Sequence, residues 1–352
     1  MEFTVKKAGM LTTVQDLGRW GHQSSGVPVA GAMDLHALRL GNAMAGNGAG
    51  AAALEATFLG PELLISGAGL AVCAGAELGF SVNGREVGSW QVVALKDGDV
   101  ISFKGPKCGC RAYLCFAGGV DVPVVMGSRS TYTRAGIGGH EGRALKAGDV
   151  LKTGLPDAQW KPAEGFSLPP ELRPDYKSGR PLKIITGLQQ DAFTEAGLDT
   201  LFNSEYAVTN ESDRMGCRFE GPKIEHKKGA DIVSDAIPLG SVQIPGHGMP
   251  IAMLADRQTT GGYTKVGVLT QASIQVLAQK APGAKVRFER ASMEEAVAEL
   301  RAQRALEDKV AGLRRAWCTR PAAAPAAPKP LASRLRITVN GQTYDVTCEE
   351  IK

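Results

Sequence analysis

The sequence has few aromatic residues and no long apolar run, and the second of these absences argues against a membrane-spanning protein. Aromatic residues make up 6% of the 352 residues. Because no stretch of about 18 consecutive apolar residues occurs, we expect no membrane-spanning helix. The first residues also lack the apolar core of a secretory signal peptide. The sequence therefore predicts a cytoplasmic protein that has no membrane partner.

The cysteine content argues against a disulfide-bonded protein, and the net charge argues against a nucleic-acid-binding protein. The seven cysteines are an odd number at irregular spacing, which argues against a disulfide framework and fits a reducing compartment. Cys108 and Cys110 form the only close pair in the sequence, and no other ligand types complete a metal site around them. The net charge is +4, and the basic residues are spread along the chain apart from a short cluster near Arg314. Nucleic acid is therefore not an expected partner.

Motifs that identify several enzyme classes are missing as well. The sequence contains no P-loop pattern G-x-x-x-x-G-K-[ST], no dinucleotide pattern G-x-G-x-x-G, no H-E-x-x-H zinc pattern and no G-x-S-x-G nucleophile elbow. Each of these motifs carries a specific chemistry for phosphate, metal or acyl transfer. We therefore expect this chain to bind neither ATP nor a catalytic metal by itself.

Glycine, in contrast, is abundant. The chain has 44 glycines, well above the average share of roughly 7%. Many glycines among short apolar runs are typical of all-β structure with tight turns. The dipeptide Asn83-Gly84 predicts a two-residue hairpin turn.

A short turn motif also recurs. The stretches LKDGDVISF (95–103) and LKAGDVLKT (145–153) share a Lys-x-Gly-Asp turn before a strand, and APGAKVRF (281–288) is a looser relative. We interpret it as a common turn that leads into a barrel strand. The alternative is that two halves of the chain repeat one barrel design.

Three helices are expected, two of them from capping signals. Asp34 is a suitable N-cap for a helix over 34–45, and a second helix is expected over 190–202. The pattern Ser-Met-Glu-Glu at 292–295 is a capping box that opens a long amphipathic helix to about Trp317. The apolar residues of this helix lie close to one stripe: Val297, Leu300, Leu306, Val310, Leu313 and Trp317.

Composition divides the chain into six segments. A proline-rich, charged stretch separates two strand-rich blocks and is typical of an interdomain connection. An Ala/Pro linker of extended character precedes a terminal hairpin around Asn340-Gly341. The expected order is a first domain over 1–155, the connection over 156–181, a second domain over 182–290, a helix over 292–318, the linker over 319–332 and the hairpin over 333–352.

Four polar segments bounded by glycines are the candidates for function. Each combines Arg with Asp, Ser or Thr, and they cover 12–34, 126–145, 211–224 and 254–267. Glycine lets a backbone approach a ligand or another chain closely, and arginine presents a fork of donors that suits carboxylate or carbonyl oxygens. For any one Asp–Arg pair a structural ion pair is the simpler interpretation. Four such segments together favour a functional site or an obligate interface, and spacing alone does not choose between them.

These segments resemble a known family. The strings TTVQDLGR, GVPVAGAMD, GSRSTY, SDRMG and ADRQTTGGY resemble, in order, the hallmark blocks of the biotin-dependent carboxyltransferase, or allophanate hydrolase subunit 2, family. The resemblance extends from about residue 3 to residue 290. Ala30 and Cys217 stand where the family often has serine and an aromatic residue, which leaves the substrate type open. The tail resembles the opening hairpin of a biotin carrier domain but lacks the Met-Lys-Met motif, so we expect no biotin on this chain.

The resemblance implies a fold and a set of partners. The expected fold is mainly β, with two cyclophilin-like β-barrel domains, a few short helices, one long C-terminal helix, an Ala/Pro linker and a terminal β-hairpin. The implied partners are an allophanate hydrolase subunit 1-like protein (the oxoprolinase B subunit), a LamB/YcsF-like protein (the A subunit), a biotin carrier as a further option, and a small amide or lactam substrate. No cofactor is expected to be attached covalently to this chain.

The resemblance also implies a function. The first expectation is the role of the C subunit in an ATP-dependent 5-oxoprolinase complex that cleaves 5-oxoproline to glutamate, a hydrolase or carboxyltransferase-type enzyme that is active only with its partners. ATP would be used through a partner. The alternatives are a biotin-dependent carboxyltransferase subunit of the urea carboxylase type, with carboxybiotin on a separate carrier, and a KipA-like non-catalytic regulator that binds a kinase-inhibitor protein.

The family blocks supply the candidate site residues. Because an amide carbonyl is a poor electrophile, its activation requires preorganised donors for the developing negative charge and a group that moves a proton. The candidate anion-stabilising residues are Arg19, Arg129, Arg214 and Arg257. The candidate orienting residues or bases are Asp16, Asp213 and Asp256. The candidate substrate contacts are Gln15, Tyr132, Gln258, Tyr263 and Lys265. The alternative for each is a role in a turn or a subunit interface.

Overall fold

The computed structural model describes residues 1–156, 163–187, 189–320 and 333–348. They belong to two compact units, Met1–Cys318 and Thr319–Lys352. The described chain is mainly β, as the sequence predicts, and it contains four α-helices. Among these residues, no helix combines the length and the apolar character that a membrane crossing requires.

The large unit has two halves, a first half with the strands between residues 2 and 153 and a second half with the strands between residues 182 and 290. The first half consists of two sheets packed face to face. The ring of Phe3 in one sheet stacks on the ring of Phe116 in the other, with centroids 4.8 Å apart. The strands are β1 (Glu2–Lys7), β2 (Leu11–Gln15), β3 (Ala53–Thr57), β4 (Glu62–Ser66), β5 (Gly69–Glu77), β6 (Phe80–Val82), β7 (Arg85–Glu86), β8 (Val92–Leu95), β9 (Val100–Phe103), β10 (Cys108–Phe116), β11 (Val120–Asp121) and β12 (Val150–Thr153). Their orders are β11-β12-β1-β4-β9-β6-β7 and β2-β3-β10-β5-β8.

The predicted turns of this half are confirmed. Val82 pairs with Arg85 across the Asn-Gly turn. The recurrent Lys-x-Gly-Asp motif forms the same turn twice: the carboxylates of Asp99 and Asp149 each accept a hydrogen bond of 2.7 Å from the backbone nitrogen three residues earlier. Both copies lead into strands of the seven-stranded sheet, β9 and β12. In each copy, the carboxylate bonds to a backbone nitrogen of its own turn. Because all the atoms involved are close in sequence, the turn can be recognised from the sequence.

The second half contains a closed barrel. Its strands are β13 (Leu182–Thr186), β14 (Glu205–Val208), β15 (Gly216–Glu220), β17 (Ser241–Gln243), β18 (Ile251–Met253), β20 (Lys265–Leu269) and β21 (Lys285–Arg290), in the order β13-β20-β17-β18-β15-β14-β21. A separate two-stranded sheet pairs β16 (Asp231–Ala236) with β19 (Thr260–Tyr263). Of the two predicted barrels, this one closes, whereas the first half forms the two stacked sheets.

The helices are α1 (Leu35–Ala45), α2 (Glu195–Asn203), α3 (Gln271–Ala278) and α4 (Met293–Cys318). The N-cap of α1 is confirmed, since the Asp34 carboxylate accepts a hydrogen bond of 3.0 Å from the nitrogen of Ala37. The predicted start of the second helix was wrong by several residues. Its N-cap is Thr194, whose hydroxyl accepts from the nitrogen of Gly197 at 2.9 Å.

Helix α3 was not predicted, because its apolar residues continue the strand-like run that begins at Lys265. The signal for it is Thr270, which caps the helix by accepting a hydrogen bond from the nitrogen of Ser273 at 3.2 Å. A hydroxyl at the N-cap satisfies one of the free donors of the first turn. The cap therefore ends β20 and starts α3 within two residues.

Helix α4 begins at the predicted capping box. The Ser292 hydroxyl accepts from the nitrogen of Glu295 at 3.1 Å, and the Glu295 carboxylate accepts from the nitrogen of Ser292 at 2.8 Å. The predicted stripe is buried most deeply at Val310, which packs in the core around α1, while Leu300 is 36% exposed. The long helix thus docks on the first half.

The connection between the halves also packs on the first half. Within residues 163–181, Ala163, Phe166 and Leu168 are buried in the same core as α1, and Ser167 pairs with Gln91 in a β-bridge. Residues 157–162 of the predicted connection lie outside the described residues.

The small unit contains the predicted terminal hairpin, β22 (Ser333–Val339) paired with β23 (Gln342–Cys348). Ile337 lies opposite Tyr344 in the register, so these two side chains share a face. Residues 321–332, which make up most of the predicted linker, lie outside the described residues.

A buried ion-pair network joins the two halves of the large unit. Arg214 forms a two-bond contact with Asp256 at 2.9 and 3.0 Å, and its third nitrogen reaches Glu55 on β3. It also donates to the carbonyl of Gly31 at 2.6 Å. Burial alone would lower the pKa of Arg214, but the charges of Asp256 and Glu55 outweigh burial and raise this pKa above its ordinary value. We call Glu55, Arg214 and Asp256 together the clamp.

We expect Val310→Ala to lower the free energy of unfolding by about 2 kcal/mol, because it removes two buried carbons and leaves a cavity. Urea denaturation measures this loss. Leu300→Ala on the same helix is the control and should change stability by less than about 0.5 kcal/mol. Equal losses from both variants would contradict the docking of α4.

We expect Arg214→Met to lower the free energy of unfolding by about 3–5 kcal/mol, because it leaves two buried carboxylates without their cation. The control is Arg134→Met, which removes an exposed ion pair between the halves. Arg134 lies 3.3 Å from Asp213, and these side chains are 60% and 50% exposed. The control should cost less than about 1 kcal/mol. A similar effect of both variants in urea denaturation would show that the clamp does not join the halves.

Candidate functional site

A row of polar side chains crosses the five-stranded sheet on the face opposite the main core. It comprises Thr13 and Gln15 on β2, Glu55 on β3 and Tyr113 on β10, all almost fully buried. The register places Glu55 opposite both Thr13 and Tyr113. The Tyr113 hydroxyl donates to Glu55 at 2.8 Å. Because strand residues alternate in direction, this row forms one surface, and the clamp docks the second half on it.

Asp16 follows this row and holds the loop that contains the third hallmark block. Its carboxylate accepts hydrogen bonds from the nitrogens of Gly18 at 2.8 Å and Arg129 at 2.6 Å, and from the Ser128 hydroxyl at 2.7 Å. The Arg129 side chain turns outward and donates to the carbonyl of Val122 at 2.9 Å. The observed contacts of Asp16 and Arg129 are therefore those of a positioned loop.

Arg19 lies fully buried beside this loop. It donates to the carbonyls of Val125 and Ser130, both at 2.9 Å, while its Nη1 has no hydrogen-bond partner among the described residues. Burial lowers the pKa of Arg19, and the charges of Asp16 and Asp256 offset part of that effect. Buried donors without a partner are rare, so Nη1 is a candidate contact for a bound group.

Gln15 and Tyr132 flank the same loop. Gln15 donates to the carbonyl of Thr131 at 3.1 Å and to the Thr13 hydroxyl at 3.0 Å, and its Oε1 lacks a partner within the described chain. Burial raises the pKa of Tyr132, and the charge of Asp256 adds to the rise. Tyr132 therefore lies within electrostatic reach of the second half.

Asp213 has a local role in the SDRMG block. Its carboxylate accepts from the nitrogens of Met215 at 2.7 Å and Gly216 at 3.1 Å. These bonds stabilise the turn that leads into β15. This turn carries Arg214 into the clamp, so Asp213 and Arg214 are neighbours in sequence with different surroundings.

A second polar group lies beside the two-stranded sheet of the second half. Lys265 on β20 is fully buried, and its Nζ lies 3.0 Å from the carboxylate of Asp235 on β16. The Gln189 side chain donates to the same carboxylate at 3.2 Å and accepts from the backbone nitrogen of Lys265 at 3.1 Å. The bond from Lys265 lowers the pKa of Asp235. The carboxylate is half exposed, so this group meets the surface there.

Two further amides complete this group. Gln243 lies opposite Lys265 in the register of β17 and β20. It is buried, and its Nε2 lacks a partner among the residues that the structure describes. A Cβ atom added to Gly261 would lie 3.2 Å from Nε2 of Gln243 and 3.6 Å from Nε2 of Gln258. Both amides therefore point at one stretch of β19. The barrel-side cluster comprises Gln189, Asp235, Gln243, Gln258 and Lys265.

Arg257 differs from Arg214 although the two belong to similar blocks. Its guanidinium donates to the carbonyls of Ile237 at 2.9 Å and Leu254 at 3.2 Å, and no ion pair to it occurs within the described residues. Burial lowers the pKa of Arg257 to about 10. Tyr263 at the end of β19 is 43% exposed, so it lies at the surface.

The structure thus sorts the predicted residues into groups. Gln15, Asp16 and Arg19 surround the loop at 128–131, Arg214 and Asp256 form the clamp, and Gln258 and Lys265 belong to the barrel-side cluster. Sequence reasoning missed five residues: Glu55, Tyr113, Gln189, Asp235 and Gln243. The available signal for some was a lone polar residue in an apolar strand, as in ALEAT and SVQIP. Among the described residues, no three Asp, Glu, His or Cys side chains come together as a metal site.

Comparison with known sequences agrees with the predicted family. The family described as "Carboxyltransferase domain, subdomain A and B" matches residues 25–290. The C subunit of 5-oxoprolinase from Escherichia coli (strain K12) is 36% identical over 291 residues, which cover 83% of this chain and 92% of that protein. The C subunit of 5-oxoprolinase from Haemophilus influenzae is 35% identical over 284 residues, which cover 81% and 89%.

Solved structures give the same result. The K. lactis urea amidolyase superposes with a TM-score of 0.82 at 30% identity and covers 88% of this chain and 20% of that chain. The Kluyveromyces lactis urea carboxylase has a TM-score of 0.82 at 28% identity and covers 98% and 32%. This chain therefore spans between a fifth and a third of those two proteins. The matched blocks, the fold and these relatives together show that the chain belongs to the carboxyltransferase domain family, subdomain A and B.

Proposed function

We propose that this chain is the C-type component of an ATP-dependent complex that opens 5-oxoproline to glutamate. The similarity to the C subunits of two 5-oxoprolinases over most of their length supports this proposal. The observation that carries it is the barrel-side cluster, in which a buried ammonium group bonded to a carboxylate faces the Gln243 amide, whose Nε2 has no partner among the described residues. The ammonium and amide donors of this cluster are suited to bind the oxygen of an amide carbonyl.

The proposed chemistry at this site is addition of water to the lactam carbonyl, coupled to the cleavage of ATP to ADP and phosphate by a partner. The water oxygen bonds to the carbonyl carbon, negative charge develops on the carbonyl oxygen, the carbon–nitrogen bond breaks, and the nitrogen takes up a proton. In this scheme the Lys265 ammonium and the Gln243 amide stabilise the charged oxygen, since preorganised donors are most effective where water is excluded.

The carboxylate of Asp235 has a second task in this scheme. Its pKa is lowered by the bond from Lys265, so it stays ionised beside the lysine. An ionised carboxylate at a half-exposed position accepts a proton from water. We assign Asp235 as the base and Gln189 as the residue that orients it, through the 3.2 Å hydrogen bond.

The proposal includes partner proteins. ATP would be bound by a partner, because this sequence has no phosphate-binding motif. The expected partners remain a B-type protein and a LamB/YcsF-like A-type protein. Arg19, with its unpaired Nη1, and Gln15, with its unpaired Oε1, are proposed as further substrate contacts.

We expect Lys265→Met to reduce ATP-dependent glutamate release by about 10²–10³-fold, which is the usual effect of removing one oxyanion donor. The assay uses this chain purified with its A- and B-type partners and supplied with 5-oxoproline. The control is Lys183→Met, which removes a lysine of the same barrel that pairs with Glu299 on α4 at 3.0 Å. Full activity of Lys265→Met in an intact complex would exclude this site.

A biotin-dependent carboxyltransferase of the urea carboxylase type is the second candidate. The observation that favours it is the fold: the urea amidolyase and urea carboxylase structures both superpose with a TM-score of 0.82 and cover 88% and 98% of this chain. The carrier-like hairpin points the same way. In this alternative, the same donors would stabilise the ureido oxygen of carboxybiotin from a separate carrier.

Avidin separates the two candidates, because it captures biotin irreversibly. We expect glutamate release by the purified complex to continue unchanged when avidin is added. The control is avidin saturated with free biotin. Inhibition by avidin but not by the saturated control would replace the first candidate with the second.

A further inference from the structure

The donors of the barrel-side cluster are closed to solvent. Lys265 is fully buried, and Gln243 is only 2% exposed. A Cβ atom added to Gly261 would lie 3.2 Å from Nε2 of Gln243, closer than an ordinary van der Waals contact. One methyl group therefore already fills the space between β19 and this amide. Because a lactam ring is much larger than a methyl group, it can reach these donors only if part of the structure moves.

The part that covers the donors is the two-stranded sheet of β16 and β19. Asp235 on β16 reaches Lys265, and Gly261 on β19 lies against Gln243. The two strands pair with each other and do not belong to the closed barrel. We call residues 231–236 and 260–263 together the strap.

The strap is held loosely along its length. Its strand β16 is exposed at almost every residue, and Val233 is 92% exposed. Asp231 pairs with Tyr263 and Asp235 pairs with Gly261, so β16 uses four residue steps where β19 uses two. Such an irregular register interrupts the ladder of hydrogen bonds. Segments with few buried contacts and exposed backbone bonds open at a lower free energy than the core.

The two ends of β16 are anchored, in contrast to its middle. The carbonyl of Ala230 accepts a hydrogen bond from the nitrogen of Thr264 at 2.9 Å. At the other end, the carbonyl of Ile237 accepts from the guanidinium of Arg257 at 2.9 Å. Ala230 and Ile237 are both buried. The extra length of β16 between these fixed points allows the strap to lift without breaking its anchors.

Asp235 is the contact that fastens the strap to the barrel. Its carboxylate bonds to the Nζ of Lys265 at 3.0 Å and to the side chain of Gln189 at 3.2 Å. The Asp235 side chain is 50% exposed, whereas that of Lys265 is 0% exposed. An ion pair with one solvated partner contributes little to stability, so water can replace this contact when the strap lifts.

Opening of the barrel itself is a less favourable route to Lys265. Its strand β20 pairs with β13 on one side and with β17 on the other. Separating β20 from either neighbour would break a ladder and expose the core around Val266, which is fully buried. The strap has no such core beneath its middle.

We propose that the strap lifts and closes over the barrel-side cluster, with the Asp235–Lys265 pair as its latch. The open state lets a substrate carbonyl reach Lys265 and Gln243, and the closed state excludes water and brings Asp235 back to the site. This inference rests on the proposed function for the identity of the substrate, whereas the motion itself is a property of this chain.

The test is labelling of the full chain with sulfosuccinimidyl acetate, which acetylates lysine side chains that reach solvent, at urea concentrations below the unfolding transition. Peptide mass spectrometry measures the rate at Lys265. Alkylation of Cys217 by iodoacetamide in parallel samples reports opening of the barrel, because this thiol is 3% exposed and lies in the barrel core. Relative to the unfolded chain, we expect Lys265 to react at least about tenfold faster than Cys217. Its rate should change little with urea, because lifting the strap exposes little surface.

Asp235→Asn tests the latch, since it keeps the shape of the side chain and removes its charge. It should raise the rate at Lys265 about threefold and leave Cys217 protected, which also shows that the variant is folded. Labelling takes place in the open state, where the two groups are apart, so the reactivity of the exposed lysine itself stays the same. The matched control is Glu299→Gln, which removes the carboxylate 3.0 Å from Lys183 of the same barrel. It should leave the rate at Lys265 unchanged.

Three results would overturn the proposal. Equal relative rates and equal urea dependence at Lys265 and Cys217 would show that the lysine is exposed only when the barrel unfolds. A rate at Lys265 as fast as in the unfolded chain would show that no closed state exists. Equal effects of Asp235→Asn and Glu299→Gln would remove the latch. The labelling needs neither substrate nor partner, so a failure to release glutamate would refute the proposed function and leave the motion of the strap standing.

Discussion

The structure depends on one buried arginine. Arg214 takes carboxylates from both halves of the large unit, Glu55 from the first and Asp256 from the second, and it leaves neither acid exposed. Each of the three groups would be costly to bury alone, so the free energy of the network requires that the halves stay together. The Tyr113 hydroxyl and the backbone nitrogen of Met33 each donate to Glu55 at 2.8 Å, so contacts within the first half also hold this acid in place.

The hallmark blocks combine two physical roles that look alike in sequence. Asp213 and Arg214 are adjacent, yet Asp213 stabilises its own turn and meets Arg134 only at the exposed surface, whereas Arg214 joins the two halves through buried carboxylates. Asp256 and Arg257 are also adjacent, yet the acid belongs to the clamp and the arginine forms no ion pair among the described residues. Successive residues at a turn point in different directions, so charge composition alone does not decide their roles. A guanidinium is structural where its donors are satisfied and available for a ligand where they are not.

Local signals in the sequence were sufficient for local structure. The Asn-Gly hairpins, the Lys-x-Gly-Asp turns, the Asp34 cap and the capping box at Ser292 were predicted and confirmed, because each is formed by atoms a few residues apart. The predictions that failed concern segments whose local sequence pattern fits more than one structure. The run after Lys265 has a strand-like apolar pattern, and the Thr270 cap turned it into α3. The closure of the second barrel rests on pairing of β13 with β21, about a hundred residues apart, which no local pattern reports.

The sequence by itself determined the mainly β class, the positions of many turns and the family, since these depend on residue spacing and on blocks that stand in order. Only the tertiary structure decided which of the twelve candidate residues share a site. Gln243 and Lys265 face each other because β17 pairs with β20, and Asp235 reaches the lysine from a separate sheet. Glu55 became part of the clamp because the second half docks on its strand. Burial and partners belong to the folded chain, and they decide whether a charged group supports the fold or remains free for chemistry.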